Sequence, residues 1–380
     1  MVAGNYAELV ARQRADLSDG LFSAVRRLRW SAERLGADRE RRLRELLAWS
    51  AERSQFHAER LADIDVDHFT EEDLPSLPIM TKADLMDNFD QVMTDPALTL
   101  DVVNAHIDNL EEDGYLLDRY RVVVTRGTTG PRGLFVYGWE DWTTLVLIAT
   151  RWRGRDGDSL PLDASVGSLF PSDSRHVSGA LHAFLSGMPG DGAPPVTHLP
   201  PSLPLAEIVA GLNAAQPVVL QGYPSAIGLV AREAKAGRLK ISPKRVSTSG
   251  EQCTDEVRAA VADAWGIEIH NYWGCSEGVY AFPCEAGDAM HLPDDLAIIE
   301  PIDRQGKVVA PGQPADRVLL TNLYNRTEPL IRYEITDAMT LLAGICGCGC
   351  AHRRITDLAG RTDAVFTHDG GVRPSGSGPA

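Results

Sequence analysis

Between residues 119 and 285 the chain alternates short β-branched runs with helical patterns, and this alternation restricts the fold more than any other feature. Tyr120–Thr125, Leu134–Tyr137, Gln216–Gln221, Lys244–Thr248 and Ile267–Trp273 read as strands. Helices are expected from Glu140 to Trp152, after Pro224, and over 255–265, where Val257, Val261 and Trp265 recur at four-residue intervals. Strands separated by helices build an α/β fold with a largely parallel sheet, and such sheets carry functional loops at their strand C-termini. Prolines and glycines crowd residues 188–204, which read as a loop.

Upstream, residues 6–62 place apolar side chains at helical spacing, among them Leu9, Leu17, Leu21, Val25 and Leu28, then Leu43, Leu46, Leu47 and Trp49. The prolines of 73–78 end this region, and Thr81 is placed to cap a short helix, Lys82–Asn88. Downstream, 290–342 turns to strands such as Ala297–Ile302 and Arg317–Leu320, and Asp369–Ala380 is rich in Gly, Pro and Ser. The expected division is an N-terminal helical part over 1–118, an α/β core over 119–285, a β-rich subdomain over 286–366 and a disordered tail over 367–380.

A formal net charge of −16, from 53 acidic against 37 basic residues, argues against nucleic acid or an anionic membrane as partner. No apolar run approaches the ~18 residues needed to span a bilayer, and early charges argue against a signal peptide. A cytoplasmic location is therefore expected, and there the six cysteines stay reduced, as metal ligands, nucleophiles or core residues. Only five lysines stand beside 32 arginines, and none follows Lys307.

Five segments carry chemistry. Thr125-Arg-Gly-Thr-Thr-Gly-Pro-Arg-Gly133 follows a strand, and its glycines let backbone N–H groups close on phosphate oxygens. No Gly-Lys-Ser/Thr follows, so it is not a Walker A loop; a plain Gly-rich hairpin also accounts for it. Ser249-Gly-Glu251 either presents backbone and carboxylate to a ligand or is a helix-capping turn before Thr254. In Asn271-Tyr-Trp-Gly-Cys-Ser-Glu-Gly278, the aromatics offer flat faces and Ser276 and Glu277 offer hard oxygens for Mg²⁺. Leu330–Asp337 closes on a carboxylate able to accept a pair of ribose hydroxyls, and Gly360-Arg-Thr-Asp363 is a short polar turn.

Taken in order, these segments resemble the signatures of the adenylate-forming superfamily of acyl-CoA synthetases, adenylation domains and luciferases. Ser54-Gln-Phe-His-Ala-Glu-Arg-Leu and Leu77-Pro-Ile-Met-Thr-Lys-Ala-Asp-Leu resemble its phenylacetate–CoA ligase-like branch. The resemblance implies the large domain of that fold: mixed, mostly parallel sheets flanked by helices, plus a smaller β-rich subdomain. It implies ATP-dependent activation of an aryl or acyl carboxylic acid as an adenylate, with pyrophosphate released and CoA thioester formation as second step. A carrier protein or an amine as acceptor, or a degenerate nucleotide-binding relative, remain the other readings, and a homodimer is compatible with the sequence.

The roles implied are these. Thr125, Gly127, Thr128, Thr129 and Gly130 would hold the ATP phosphates, with Thr128 catalytic. Ser249, Gly250, Glu251, Tyr272, Trp273 and Gly274 would surround the adenine, while Ser276 and the catalytic Glu277 would bind phosphate and Mg²⁺. Asp337 would take the ribose hydroxyls, with Arg361 nearby and catalytic. His176, Tyr223, Trp273 and Gly274 would line the acid pocket. Relatives continue beyond the hinge into a small mobile lid with a catalytic lysine. Here 17 residues follow Asp363 and none is lysine, so the expectation is a missing lid and slowed adenylation.

Cys284-x₆-His291 and Cys346-Gly-Cys348-Gly-Cys350 supply thiolates and an imidazole in the manner of a structural zinc site. Some phenylacetate–CoA ligase-like relatives carry a similar Cys…His…Cys-x-Cys arrangement before the hinge; the resemblance, counted back without gaps from Ile355 and Gly360, implies Cys346 and Cys348, and with a two-residue deletion Cys348 and Cys350. Unliganded core thiols are the other reading. Cys275 lacks a matched His/Asp signature for a nucleophile.

Overall fold

The structure, a computed structural model, describes residues 3–125, 132–154, 160, 164–186, 195–284, 286–287, 289–356, 365–368 and 371–374. Two long helices, Ala3–Arg27 and Ala32–Arg53, lead into short helical turns that end with Lys82–Asp87. β1 (Arg121–Val124) and β2 (Leu134–Tyr137) form an antiparallel hairpin, buried along its whole length. β3 (Val166–Leu169), β4 (Val196–His198), β5 (Val219–Gly222), β6 (Arg245–Ser249) and β7 (Ile269–Cys275) pair in parallel in the order β4-β3-β5-β6-β7.

β8 (Val279–Pro283) turns back antiparallel on β7, and β9 (Met290–His291) follows on β8. Then come β10 (Ala297–Ile302), β11 (Pro314–Ala315), β12 (Arg317–Asn322), β13 (Tyr333–Ile335), β14 (Met339–Leu342) and β15 (Arg354–Thr356). β10, β12 and β13 make a separate antiparallel sheet, whereas β15, β14 and β11 join β9. One ten-stranded mixed sheet therefore runs across the boundary expected at 285/286. Its parallel part is confined to five strands, because hairpin-length connections such as 276–278 permit only antiparallel pairing.

Local chemistry explains individual elements. The helix Asp255–Trp265 forms over the expected residues: Thr254 accepts from the Val257 amide, acids fill the first turn, and Gly266 ends it at φ +71°. The Leu77–Lys82 segment docks beside β13, with the Met80 amide donating to Arg332 O and the Glu334 amide to Met80 O. Arg332 itself is buried at φ +53° and pairs with Glu300 at 3.0 Å. His57 is fully buried and meets Pro329 O at 2.9 Å, so the Ser54–Leu61 segment leans on the same connection. Arg151 and Asp295, both fully buried, form a two-pronged ion pair at 2.7 Å. Burial works against the Asp295 charge, but Arg151 prevails and holds its carboxyl well below the usual range.

Two expectations are corrected. Val196–His198, placed in a loop, is an edge strand: the flanking prolines cost nothing there, and Pro195 O still accepts from Val166 N at 2.9 Å. Residues 371–374, placed in a disordered tail, form β17 (Gly371–Pro374), paired antiparallel with β16 (Val365–His368). β-branched Val365, Thr367 and Val372 favour that extended pairing. Among the described residues no helix is long and apolar enough to cross a membrane.

Candidate functional site

Parallel pairing brings the C-terminal ends of β3, β5, β6 and β7 to one edge, where Tyr223, Ser249 and the 272–277 segment lie. Ser249, last residue of β6, pairs with Tyr272 on β7. Gly250 follows at φ +82°, and a Cβ at that position would stand 2.7 Å from the Tyr223 ring. The backbone thus turns tightly under Tyr223, which only glycine permits. Glu251 accepts from the Ser225 amide at 3.1 Å and caps the helix Pro224–Lys235, whose own N-cap, Tyr223, makes no side-chain capping bond. The Ser-Gly-Glu segment is therefore a capping turn in the structure, serving the helix before it as Thr254 serves the one after it.

Alternation along β7 separates the two aromatics. Trp273 is buried in the main core and donates from Nε1 to Asp337 Oδ2 at 3.3 Å. Tyr272 points the other way and packs beside Leu28, Trp152, Phe282 and Cys350. Successive strand residues face opposite sides, so the expected pairing of Tyr272 and Trp273 around one adenine is not met; Trp273 alone stands with Asp337. Gly274 also differs from expectation. Its open face is taken by Tyr280 on the neighbouring strand, whose ring would lie 2.5 Å from a Cβ at 274.

The 276–278 turn is locked from below. Tyr137 donates to Ser276 O at 2.5 Å, Asn322 Nδ2 to Glu277 O at 3.0 Å, and Tyr324 to Gly278 O at 2.7 Å. Glu277 is 5% exposed, so its carboxylate is held with little freedom at the sheet edge. Cys275 beside it is fully buried, and burial raises its thiol well above the ordinary value, which rules out a ready thiolate nucleophile.

At the start of the Gly/Thr loop, Thr125 Oγ1 accepts from the Gly133 amide at 3.0 Å and lies 3.4 Å from Lys82 Nζ. Gly127, Thr128, Thr129 and Gly130, like Arg361, lie outside the described residues. Lys82 was not among the candidate site residues, although it is one of only five lysines. It stands at the first position of a helix whose Thr81–Asp84 capping box fixes it, and the bridge from Met80 to β13 carries it to the loop. Arg132 reaches outward to Asn104 and Asp108. His176 hydrogen-bonds through Nδ1 to Val124 O at 3.0 Å, so it ties the segment before Val177–Ser186 to the end of β1.

A second constellation lies on the antiparallel half. One ligand atom from each of Cys284, His291, Cys346 and Cys348 falls within 4.8 Å of every other. Cys284 and Cys346 sulfurs are 3.2 Å apart, and Cys348 Sγ is 3.3 Å from His291 Nε2. His291 Nδ1 donates to His352 O at 2.8 Å, which fixes the tautomer and turns the Nε2 lone pair into the cluster. Backbone amides of Ala286 and Cys348 point at the Cys284 and Cys346 sulfurs. Burial pushes the Cys284 thiol up to about 12, so a cation is needed to hold it as thiolate. Three sulfurs and one imidazole at this spacing fit tetrahedral zinc. Cys350 does not join them: its sulfur packs 3.8 Å from Leu28 O, because the turn that brings Cys346 and Cys348 inward sends the third cysteine into the Leu28 cluster.

No protein-family model matches the chain. It is 27% identical over 350 residues to a phenylacetate–coenzyme A ligase of Thermus thermophilus, covering 88% of this chain and 72% of that protein. An open form of 2-hydroxyisobutyryl-CoA ligase with its acyl-AMP and CoA superposes with TM-score 0.67 at 18% identity, covering 92% of this chain and 80% of the other. The postadenylation form of the same ligase gives 0.69 at 18% identity, over 92% of this chain and 72% of that one.

Proposed function

We propose that the chain is a phenylacetate–CoA ligase-like member of the adenylate-forming ligases and that it activates a carboxylic acid with ATP, forming an acyl-adenylate and releasing pyrophosphate. Thioester formation with CoA follows as the second step. The observation that carries this reading is the meeting of Trp273 with Asp337 at 3.3 Å, beside the locked Glu277 turn and the Ser249–Gly250 bend.

Carboxylate attack on an α-phosphate asks the protein mainly for position and charge neutralisation. Trp273, hydrogen-bonded to Asp337, would border the adenine, and the Asp337 carboxylate would take a pair of ribose hydroxyls. The Thr125–Gly133 segment would contact the phosphates, as the family resemblance implies, and the Lys82 ammonium beside Thr125 would be a cation for them. Glu277 and the Ser276 hydroxyl fit a hard divalent cation such as Mg²⁺, which would offset phosphate charge when bound. Glu277 contributes by being immobile, since a buried carboxylate in a fully bonded turn needs no reorganisation to meet that cation. Cys284, His291, Cys346 and Cys348 would hold a structural zinc, all four positions being protein ligands.

Acid-dependent ATP–pyrophosphate exchange, run across aryl and acyl acids, tests the reading. Glu277→Ala should lower exchange by at least about 10²-fold, the scale of removing one electrostatic stabiliser. Unchanged exchange in that variant would remove Glu277 from the site.

A further inference from the structure

The strands β1 and β2 form a sheet of their own, so the edge of β2 that faces away from β1 needs partners from elsewhere. Side chains of one connection, residues 322–328 between β12 and β13, supply them. The Val136 amide donates to Glu328 Oε2 at 2.6 Å, and the Val136 carbonyl accepts from Asn325 Nδ2 at 3.0 Å. Two side chains thus close one residue of β2 as a neighbouring strand would. Both are buried, Glu328 completely. Asn325 Oδ1 in turn accepts from the amides of Thr327 and Glu328 at 3.1 Å each, which holds the connection in the shape that presents Glu328. At the end of β2 the Gly138 amide and the Thr327 hydroxyl meet on Asp141 Oδ2, at 3.0 and 2.6 Å.

The same connection grips the Glu277 turn. Asn322 and Tyr324 donate to the carbonyls of Glu277 and Gly278. Tyr137, next after Val136 on β2, donates to the carbonyl of Ser276. At its other end β2 starts directly after Gly133, which is bonded to Thr125 in both directions at 3.0 Å. The base of the 125–133 segment and the Glu277 turn are therefore fastened to one another twice, directly through Tyr137 and indirectly through residues 322–328.

We infer that Glu328, Asn325 and Tyr137 are positioning residues for adenylate formation, holding the base of the 125–133 segment in register with the Glu277 carboxylate. This rests on the acid activation proposed above. Each of the three acts through a backbone group of β2 or of the turn. Attack on phosphorus is sensitive to displacements of about 1 Å between the groups that hold it, so a fixed register between two distant segments bears directly on rate. Glu328 Oε1 has no hydrogen-bond partner among the described residues, and burial, reinforced by Glu277, pushes the carboxyl well above its ordinary range. The uncharged acid is the form that fits there, and glutamine reproduces its acceptor, its size and its charge.

The test is acid-dependent ATP–pyrophosphate exchange across aryl and acyl acids. Glu328→Leu leaves the Val136 amide unpaired and should lower kcat by about 10- to 100-fold, with KM for the acid within about twofold of wild type. Tyr137→Phe deletes one hydroxyl, keeps the buried ring and should lower kcat by about fivefold with the same split. Glu328→Gln keeps the acceptor and should stay within about threefold of wild type. Ser31→Ala removes the N-cap of the helix Ala32–Arg53, outside this network, and should leave exchange unchanged while showing what lost stability alone does. A folded Glu328→Leu and a Tyr137→Phe that both exchange like wild type would overturn the positioning role and leave acid activation standing. Glu328→Gln as impaired as Glu328→Leu would overturn it too, because the bond to Val136 would then not be what matters. Where Glu328→Leu does not fold, Tyr137→Phe decides by the same split. Wild-type protein without exchange on any acid would overturn acid activation, and the positioning role with it.

Discussion

The parallel and antiparallel halves of the large sheet present chemistry in opposite ways. From β3 to β7 each strand delivers its end to a short loop, and the candidate site is assembled from backbone turns at one edge: Gly250 under Tyr223, the 276–278 turn over Tyr137 and Tyr324. From β8 onward, four side chains from a strand end, a two-residue strand and a turn converge on one point. The parallel half is ordered by the helices that connect its strands and pack against the sheet. The antiparallel half has short strands and a knuckle, and on the proposed reading it would owe its order to a metal held by Cys284, His291, Cys346 and Cys348.

That contrast has measurable consequences. The largest concerns the metal, since structural zinc contributes on the order of 10 kcal/mol in small folds. Purified protein should contain about one zinc per chain, and a chelator should strip hydrogen-exchange protection from β9, β14 and β15 while leaving β5 and β6 protected. Equal loss in both halves, or no zinc at all, would break the comparison. Acid acts on a support common to both. Burial, aided by Arg60, holds His57 at about 3, below its ordinary 6.5, so the unfolded chain takes up the proton first. Its contribution is complete above about pH 6.5 and is lost as pH falls toward 3, on the order of 5 kcal/mol in all. Urea unfolding at stepped pH should therefore show a steeper acid loss in the wild type than in His57→Asn. The smallest effect sharpens the parallel half: Glu251→Ala removes a remote cap and should lower stability by about 1 kcal/mol, read from the denaturation midpoint.

How much of this was legible in the sequence depends on range. The helix Asp255–Trp265 was readable because its cap, its acidic first turn and its terminating glycine are all local. The metal ligands were readable as types, but choosing Cys346 and Cys348 over Cys350 needed the turn geometry. Tyr272 and Trp273 were read together because they are adjacent, whereas the strand's alternation parts them. Lys82 escaped notice because its placement depends on a bridge between residues 80 and 333, far apart in sequence. Continuity of the sheet past residue 285 has the same origin: β9 pairs with β15, whose partner residues carry no local sign of it.

The five residues of β8 join two very different kinds of restraint. One end leaves the Glu277 turn and the other runs into Cys284, so a single strand joins that turn to the Cys/His cluster. On the proposed reading, β8 would link a metal at the cluster to the Glu277 carboxylate, and a protein loaded with a larger or softer ion is expected to carry its Glu277 on a looser mount. Metal occupancy would then tune the proposed nucleotide site from a point remote from it.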